Sequence, residues 1–188
     1  MKELFAPGLI MLLLFACDNP AQPGQANVYF DVAGYVKTQI AVLKRQNPTV
    51  EKQTRIKDKS QNQTVKNIDW SRELELFTQA DINKPAFRNS YDVARPDSLT
   101  YRYTLKPTEE KLTVRSLTVQ IDAKTRQPRL IEAVLRTQNL LYKSERKLTL
   151  ESGPDLGARW HVKQYQLTGF QQLTYFGKNN FFVEGRVQ

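Results

Sequence analysis

Residues 99–121 read LTYRYTLKPTEEKLTVRSLTVQI. Leu99, Tyr101, Tyr103 and Leu105 alternate with Thr100, Arg102 and Thr104. A period of two places each set on its own face of a pleated strand. Pro107 and the solvated pair Glu109-Glu110 mark a hairpin turn, after which Leu112-Thr113-Val114 alternates again. Leu117, Val119 and Ile121 then keep the period on the opposite parity. A change of phase within one run needs an extra residue, so the sequence predicts a β-bulge near Arg115-Ser116. This stretch decides for strands joined by short connections, the mark of antiparallel pairing.

The same pattern runs to the C-terminus. Leu130 to Thr137, Leu140 to Lys147 and Leu148 to Glu151 read as one or two further strands after the polar turn from Asp122 to Pro128. Gly153-Pro154-Asp155-Leu156-Gly157 is a loop signal. Trp160 to Leu167, Phe170 to Phe176 and Phe181 to Val187 close the chain as strands, split by Gly169 and by Gly177-Lys178-Asn179-Asn180. Short loops between consecutive strands predict a meander.

Upstream the period lengthens. In VYFDVAGYVKTQIAVLKRQ, residues 28–46, Val32, Val36, Ile40 and Leu43 fall at helical spacing. Lys37, Gln39, Lys44 and Arg45 sit mostly off that stripe, and Asn47-Pro48 ends the helix. Residues 49–68 carry β-branched residues on both sides of Asp58-Lys59-Ser60-Gln61-Asn62-Gln63, which predicts a polar hairpin, an edge or a projecting ribbon. Asp69 suits the N-cap of a second helix, with Trp70, Leu74, Phe77 and Ala80 as its apolar face and Asn83-Lys84-Pro85 as its end. The expected fold is α+β: two helices packed on one face of a curved, mainly antiparallel meander sheet of about six to eight strands.

The N-terminal residues address a different question. Lys2 precedes a largely apolar run from Leu4 to Ala16, too short for a spanning helix of roughly 20 residues and suited to the apolar region of a secretory signal peptide. It ends in Leu14-Phe15-Ala16-Cys17, which resembles the lipobox of bacterial lipoproteins: Leu, a variable residue, a small residue, then Cys. The family usually has a small residue where Phe15 stands. The resemblance covers about 20 residues and implies cleavage between Ala16 and Cys17, with acyl chains added to Cys17. A multiply acylated cysteine is a durable membrane tether, because each buried methylene adds about 0.8 kcal/mol. In enterobacterial members an aspartate after the cysteine favours retention in the inner membrane, and Asp18 stands there. The overall pattern, including FFVEGRV at 181–187, resembles uncharacterised envelope lipoproteins of Bacteroidota and favours the outer membrane. The expected organisation is a signal peptide at 1–16, a lipidated cysteine and flexible linker at 17–27, and one α+β domain at 28–188.

Charge and composition narrow the partners. The chain has 188 residues, a formal net charge of +9 and 40% hydrophobic residues, enough for one domain with a core. The basic balance suits anionic lipid or acidic glycans, while an exported protein seldom meets nucleic acid. With the single cysteine lipidated, disulfides and thiolate metal sites are excluded. The single histidine, His161, has no G-x-S-x-G stretch to serve and reads as a structural or surface residue. No phosphate-cradling glycine loop or calcium loop occurs, so no cofactor or metal is expected.

Aromatic residues are many for one sheet, with Tyr101, Tyr103, Trp160 and Tyr165 as candidate ligand-face residues. If the helices cover the sheet incompletely, it forms a trough for an acyl chain or similar ligand; otherwise these rings fill a core. The expected function is a non-catalytic, membrane-anchored envelope lipoprotein that binds a protein partner or an apolar ligand. The alternative is a hydrolase using carboxylates on the open face of the sheet, which a cleft with two close acidic side chains would favour.

Overall fold

The computed structural model describes residues 27–188. The signal peptide, the Ala16–Cys17 cleavage, the lipidation and all but the end of the linker lie outside the described residues.

A helix α1 (Val32–Gln46) comes first, followed by strands β1 (Val50–Ile56) and β2 (Lys59–Val65). Two short helices, α2 (Trp70–Glu73) and α3 (Glu75–Gln79), lead into β3 (Tyr91–Asp97) and β4 (Thr100–Leu105). The chain closes with β5 (Val114–Ile121), β6 (Pro128–Gln138), β7 (Tyr142–Pro154), β8 (Trp160–Leu173) and β9 (Asn179–Val187). All nine strands form one antiparallel sheet in the order β2-β1-β9-β8-β7-β6-β5-β4-β3. Seven consecutive strands thus make the meander, and the N-terminal hairpin attaches to its last strand.

The sheet has nine strands, not six to eight. The hairpin expected to be an edge or a ribbon is both joined and exposed: Val50 pairs with Val187 and Ile56 with Phe181, while β2 forms the outer edge. The polar residues of β2 are exposed from Lys59 to Thr64, as a soluble edge strand requires. The bulge predicted near Arg115-Ser116 is present, with the β5–β6 register shifting between Val114 and Ser116. Gly169 does not split a strand. β8 runs through it, and a Cβ there would overlap the Glu145 carbonyl of β7, so the glycine permits a close backbone approach. Likewise residues 142–154 form one strand.

The helices also depart from expectation. They sit at one end of the sheet, so part of its apolar face stays bare. α1 starts at Val32, the first residue of its apolar spacing, where Asp31 caps it by accepting from the Gly34 N–H at 2.7 Å. Val32, Val36 and Leu43 are fully buried, as their spacing predicted. Gln39, read as off the stripe, is buried too: its Oε1 accepts the Val162 N–H of β8 at 3.1 Å. At the same end Tyr35 donates to the Pro128 carbonyl at 3.2 Å. The second helix breaks at Leu74 into α2 and α3, with Asp69 capping α2 through the Ser71 and Arg72 N–H groups. Leu74 is fully buried at the break, so the kink turns that residue into the core.

The core is one cluster joining α1, the short helices and the inner sheet face, with Leu117, Val119, Leu148, Leu150 and Val162 at its centre. Each such side chain stabilises the fold by about 1.5–3 kcal/mol when fully buried. No helix among the described residues is long and apolar enough to cross a membrane.

Candidate functional site: an open groove beside the short helices

Where α1 stops covering the sheet, a groove of about 600 Å³ opens between α2–α3 and the inner faces of β1, β2, β7, β8 and β9. The register explains its floor. Leu148 of β7 lies opposite Leu167 of β8, which lies opposite Val183 of β9. One row along, Tyr165 lies opposite Gly185, and a Cβ on Gly185 would run into the Tyr165 ring. Glycine at 185 therefore lets the ring lie flat against the strand. Ile68, Leu76 and Phe77 supply the apolar wall, and Val65 the far side.

Polar groups ring the opening. Lys52 of β1 donates to both carboxylate oxygens of Glu73 at 2.7 and 2.9 Å, tying the hairpin to α2. Both side chains are largely withdrawn from water, at 22% and 18% exposure, so this pair is a brace and not a loose surface contact. Arg72 stands on the rim with its guanidinium in no ion pair among the described residues. Such a cation is placed to meet an anionic group at the mouth.

Tyr165 is the unusual member. It is buried, its ring packs edge-on against Trp70 at 6.3 Å, and its hydroxyl has no hydrogen-bond partner. Burial pushes the phenol far above its ordinary value, and the charge of nearby Glu73 pushes it further. The group is thus a neutral donor, and the acceptor beside it is the Glu73 carboxylate, which Lys52 already engages. Leaving such a group unsatisfied costs about 1–3 kcal/mol. The indole N–H of Trp70 is buried without a partner as well.

Three carboxylates border the groove, and all three are engaged. Asp69 caps α2, Glu73 holds Lys52, and Glu75 accepts from Gln79 at 3.0 Å. The arrangement braces helices and offers no pair of free acids on facing walls. Among the described residues, no three His, Cys, Asp or Glu side chains gather to hold a metal ion.

The four aromatics singled out in the sequence do not gather at one site. Tyr165 alone lines the groove. Tyr101 and Tyr103 stack on each other at 6.5 Å near the β3 edge. There Tyr103 accepts the Phe30 N–H at 3.0 Å and touches the Tyr29 ring at 5.4 Å. Tyr29 packs in turn on Tyr91, whose phenol burial pushes up to about 12 and whose hydroxyl donates to the Val114 carbonyl. These rings fasten the segment before α1 and are core. Trp160 donates to the Pro128 carbonyl at 3.1 Å and borders a separate hollow beside the β5–β6 turn. His161 is buried with Nδ1 unpartnered, and desolvation lowers its pKa, which keeps it neutral. It is a structural residue.

Sequence reasoning missed Leu148, Leu167 and Val183 as a site. Their alternation marks a sheet face, and only the placement of the helices separates covered from bare positions. Compared with known protein families, characterised proteins and solved structures, the chain matches none.

Proposed function

We propose that this chain is a non-catalytic, membrane-anchored envelope lipoprotein whose domain binds an apolar ligand with an anionic end in the groove beside α2–α3. The observation that carries the reading is the groove itself, with the partly bare apolar side chains of Leu167 and Val183 on its floor and Ile68 and Leu76 on its wall. A site that is mostly apolar, with a few polar groups at defined places, is the general form of a small-ligand pocket. An acyl chain fits the floor, and Arg72 suits its acidic head. The engaged state of Asp69, Glu73 and Glu75 weighs against a hydrolase in this groove. The anchor and the envelope location rest on the lipobox resemblance at Leu14–Cys17, and the resemblance of the overall pattern, with FFVEGRV at 181–187, to Bacteroidota envelope lipoproteins favours the outer membrane over the inner.

Titration of a fluorescent long-chain fatty acid into the purified chain tests the groove. Leu167→Lys and Val183→Lys put a charge on the floor and are expected to weaken binding at least tenfold. Both positions are only partly buried, and the circular dichroism spectrum and melting temperature of each variant check that it folds. Equal affinity in the parent and both variants would refute the site. Intact mass of the membrane-extracted protein tests the anchor separately: a chain starting at Cys17 with added acyl mass supports it, and an unmodified cysteine sinks it.

A further inference from the structure

The end of the sheet away from α1 carries a second feature, independent of the groove. The β6–β7 turn presents Leu140 and Leu141, at 93% and 74% exposure, and the β8–β9 turn presents Tyr175 and Phe176, at 99% and 66%. Two apolar residues in succession on each of two adjacent turns form a protruding tip with no covering element among the described residues. Single exposed apolar side chains need no explanation, but a contiguous group does.

The two turns are built as one platform. Thr174 Oγ1 donates to the Leu140 and Leu141 carbonyls at 2.7 and 2.9 Å, and Thr174 N donates to Leu141 O at 2.8 Å. Asn139 Oδ1 accepts the Leu141 and Tyr142 N–H groups. Phe176 N donates to Leu173 O, and Gln172 Nε2 donates to Phe176 O. The tip backbone is therefore satisfied largely from within, which an apolar surrounding without water demands. Tyr175 has a φ of 73°, a left-handed conformation rare for a bulky residue.

Basic residues flank the tip. Lys178 follows it with Nζ 4.4 Å from the Phe170 ring centroid, and Lys143 is exposed at the start of β7. Lys57 and Lys59 stand in the neighbouring β1–β2 turn, which is joined to β9 by Lys57 N donating to Asn180 O at 3.0 Å. Against these four cations the same turns carry one acid, Asp58. Glu145 is held by Arg136 at 2.7 Å, and Glu109 and Glu110 belong to the β4–β5 turn farther along the sheet.

From these features we infer that the β6–β7 and β8–β9 turns form a docking tip for an anionic lipid bilayer. Leu140, Leu141, Tyr175 and Phe176 enter the headgroup–acyl boundary, and Lys57, Lys59, Lys143 and Lys178 meet lipid phosphates. A protein interface of ordinary size needs a broad complementary face of about 800 Å² per partner. Two narrow turns with apolar ends and basic shoulders suit the shallow insertion of an interfacial element instead.

The test uses the full chain with Cys17→Ala, which removes the acyl anchor, and with Tyr175→Trp as a reporter. Vesicles of phosphatidylcholine with 30% phosphatidylglycerol are compared with phosphatidylcholine alone, each also prepared with brominated acyl chains. The expected result is a blue shift of the introduced tryptophan and its quenching by brominated lipid, at least threefold stronger in the anionic vesicles. Adding Leu140→Ser, Leu141→Ser and Phe176→Ser abolishes the quenching. An unshifted reporter with anionic vesicles, or equal quenching in both lipid compositions, overturns the inference. So does quenching that survives the serine substitutions. A shift produced by lipid-stripped envelope protein and not by vesicles would assign the tip to a protein partner and overturn it as well.

Discussion

The two ends of the sheet follow opposite rules. At the end covered by α1, an aspartate clasps each turn between neighbouring strands. Asp97 accepts from Leu99 N and Thr100 Oγ1, Asp122 from the Lys124 and Thr125 N–H groups, and Asp155 from Gly157 N, Arg159 N and Arg159 Nε. These bonds hold all three carboxyls below their ordinary range. Leu156 is the exposed large apolar side chain in those turns. At the far end the clasps are the neutral Asn139 and Thr174, and the residues that project are Leu140, Leu141, Tyr175 and Phe176. One end buries its apolar side chains apart from Leu156 and keeps charge in its turns. The other leaves apolar groups in water on turns that are just as well hydrogen-bonded. The difference teaches that turns can be held equally well by carboxylates or by neutral side chains, and that, Leu156 apart, only the second kind leaves its projecting residues apolar.

The sharpest way to break this contrast is to truncate one leucine at each end. Leu150→Ala in the covered core is expected to cost about 2–5 kcal/mol, while Leu141→Ala should stay within about 0.5 kcal/mol. Urea denaturation of the two variants measures both, and similar losses would mean the tip is part of the core. Gln39→Leu comes next. It leaves the buried Val162 N–H without its acceptor and should lower stability by about 1–3 kcal/mol, with faster opening at the α1 end. Amide exchange at Val162 reports it directly.

Tyr165→Phe goes the other way. Removing a buried hydroxyl that has no partner should leave stability unchanged or raise it by about 1 kcal/mol, while weakening fatty-acid binding. A loss of stability would show that the hydroxyl has a structural bond. The smallest effect is on pH dependence. A carboxyl whose folded pKa is depressed stabilises the fold above its unfolded value, near 3.9, and loses that contribution as pH falls through the folded value. Melting temperature should therefore drop between pH 5 and pH 3. The drop should be shallower in Asp97→Asn, Asp122→Asn and Asp155→Asn, whose amide oxygens keep the turns. An unchanged slope in all three would separate the clasps from acid stability.

Much of the meander and of α1 was legible in the sequence. The phase change at Arg115-Ser116 located the bulge, and the Val32–Val36–Leu43 spacing located the buried face of α1. Those signals are local, set by the period of strand or helix. The β1–β9 pairing joins residues more than a hundred positions apart, and no local period records it. The burial of Gln39 depended on an unpaired N–H on a distant strand. The tip was hidden for a different reason. Leu140-Leu141 and Tyr175-Phe176 continue an apolar pattern, so they read as strand ends, and only the turn geometry turns them outward. The groove followed the same logic. Tyr165 was named with three other aromatics because composition cannot tell a filled core from a bare floor.

The most direct test of the account is photo-crosslinking with a diazirine fatty acid, with adducts mapped by peptide mass spectrometry on the lipid-free chain. The account predicts adducts in the segments holding Tyr165–Leu167 and Val183, competed away by unlabelled fatty acid and lost in Leu167→Lys. Adducts confined to Leu140–Leu141 and Tyr175–Phe176, or none that unlabelled ligand can displace, would contradict the groove as the ligand site.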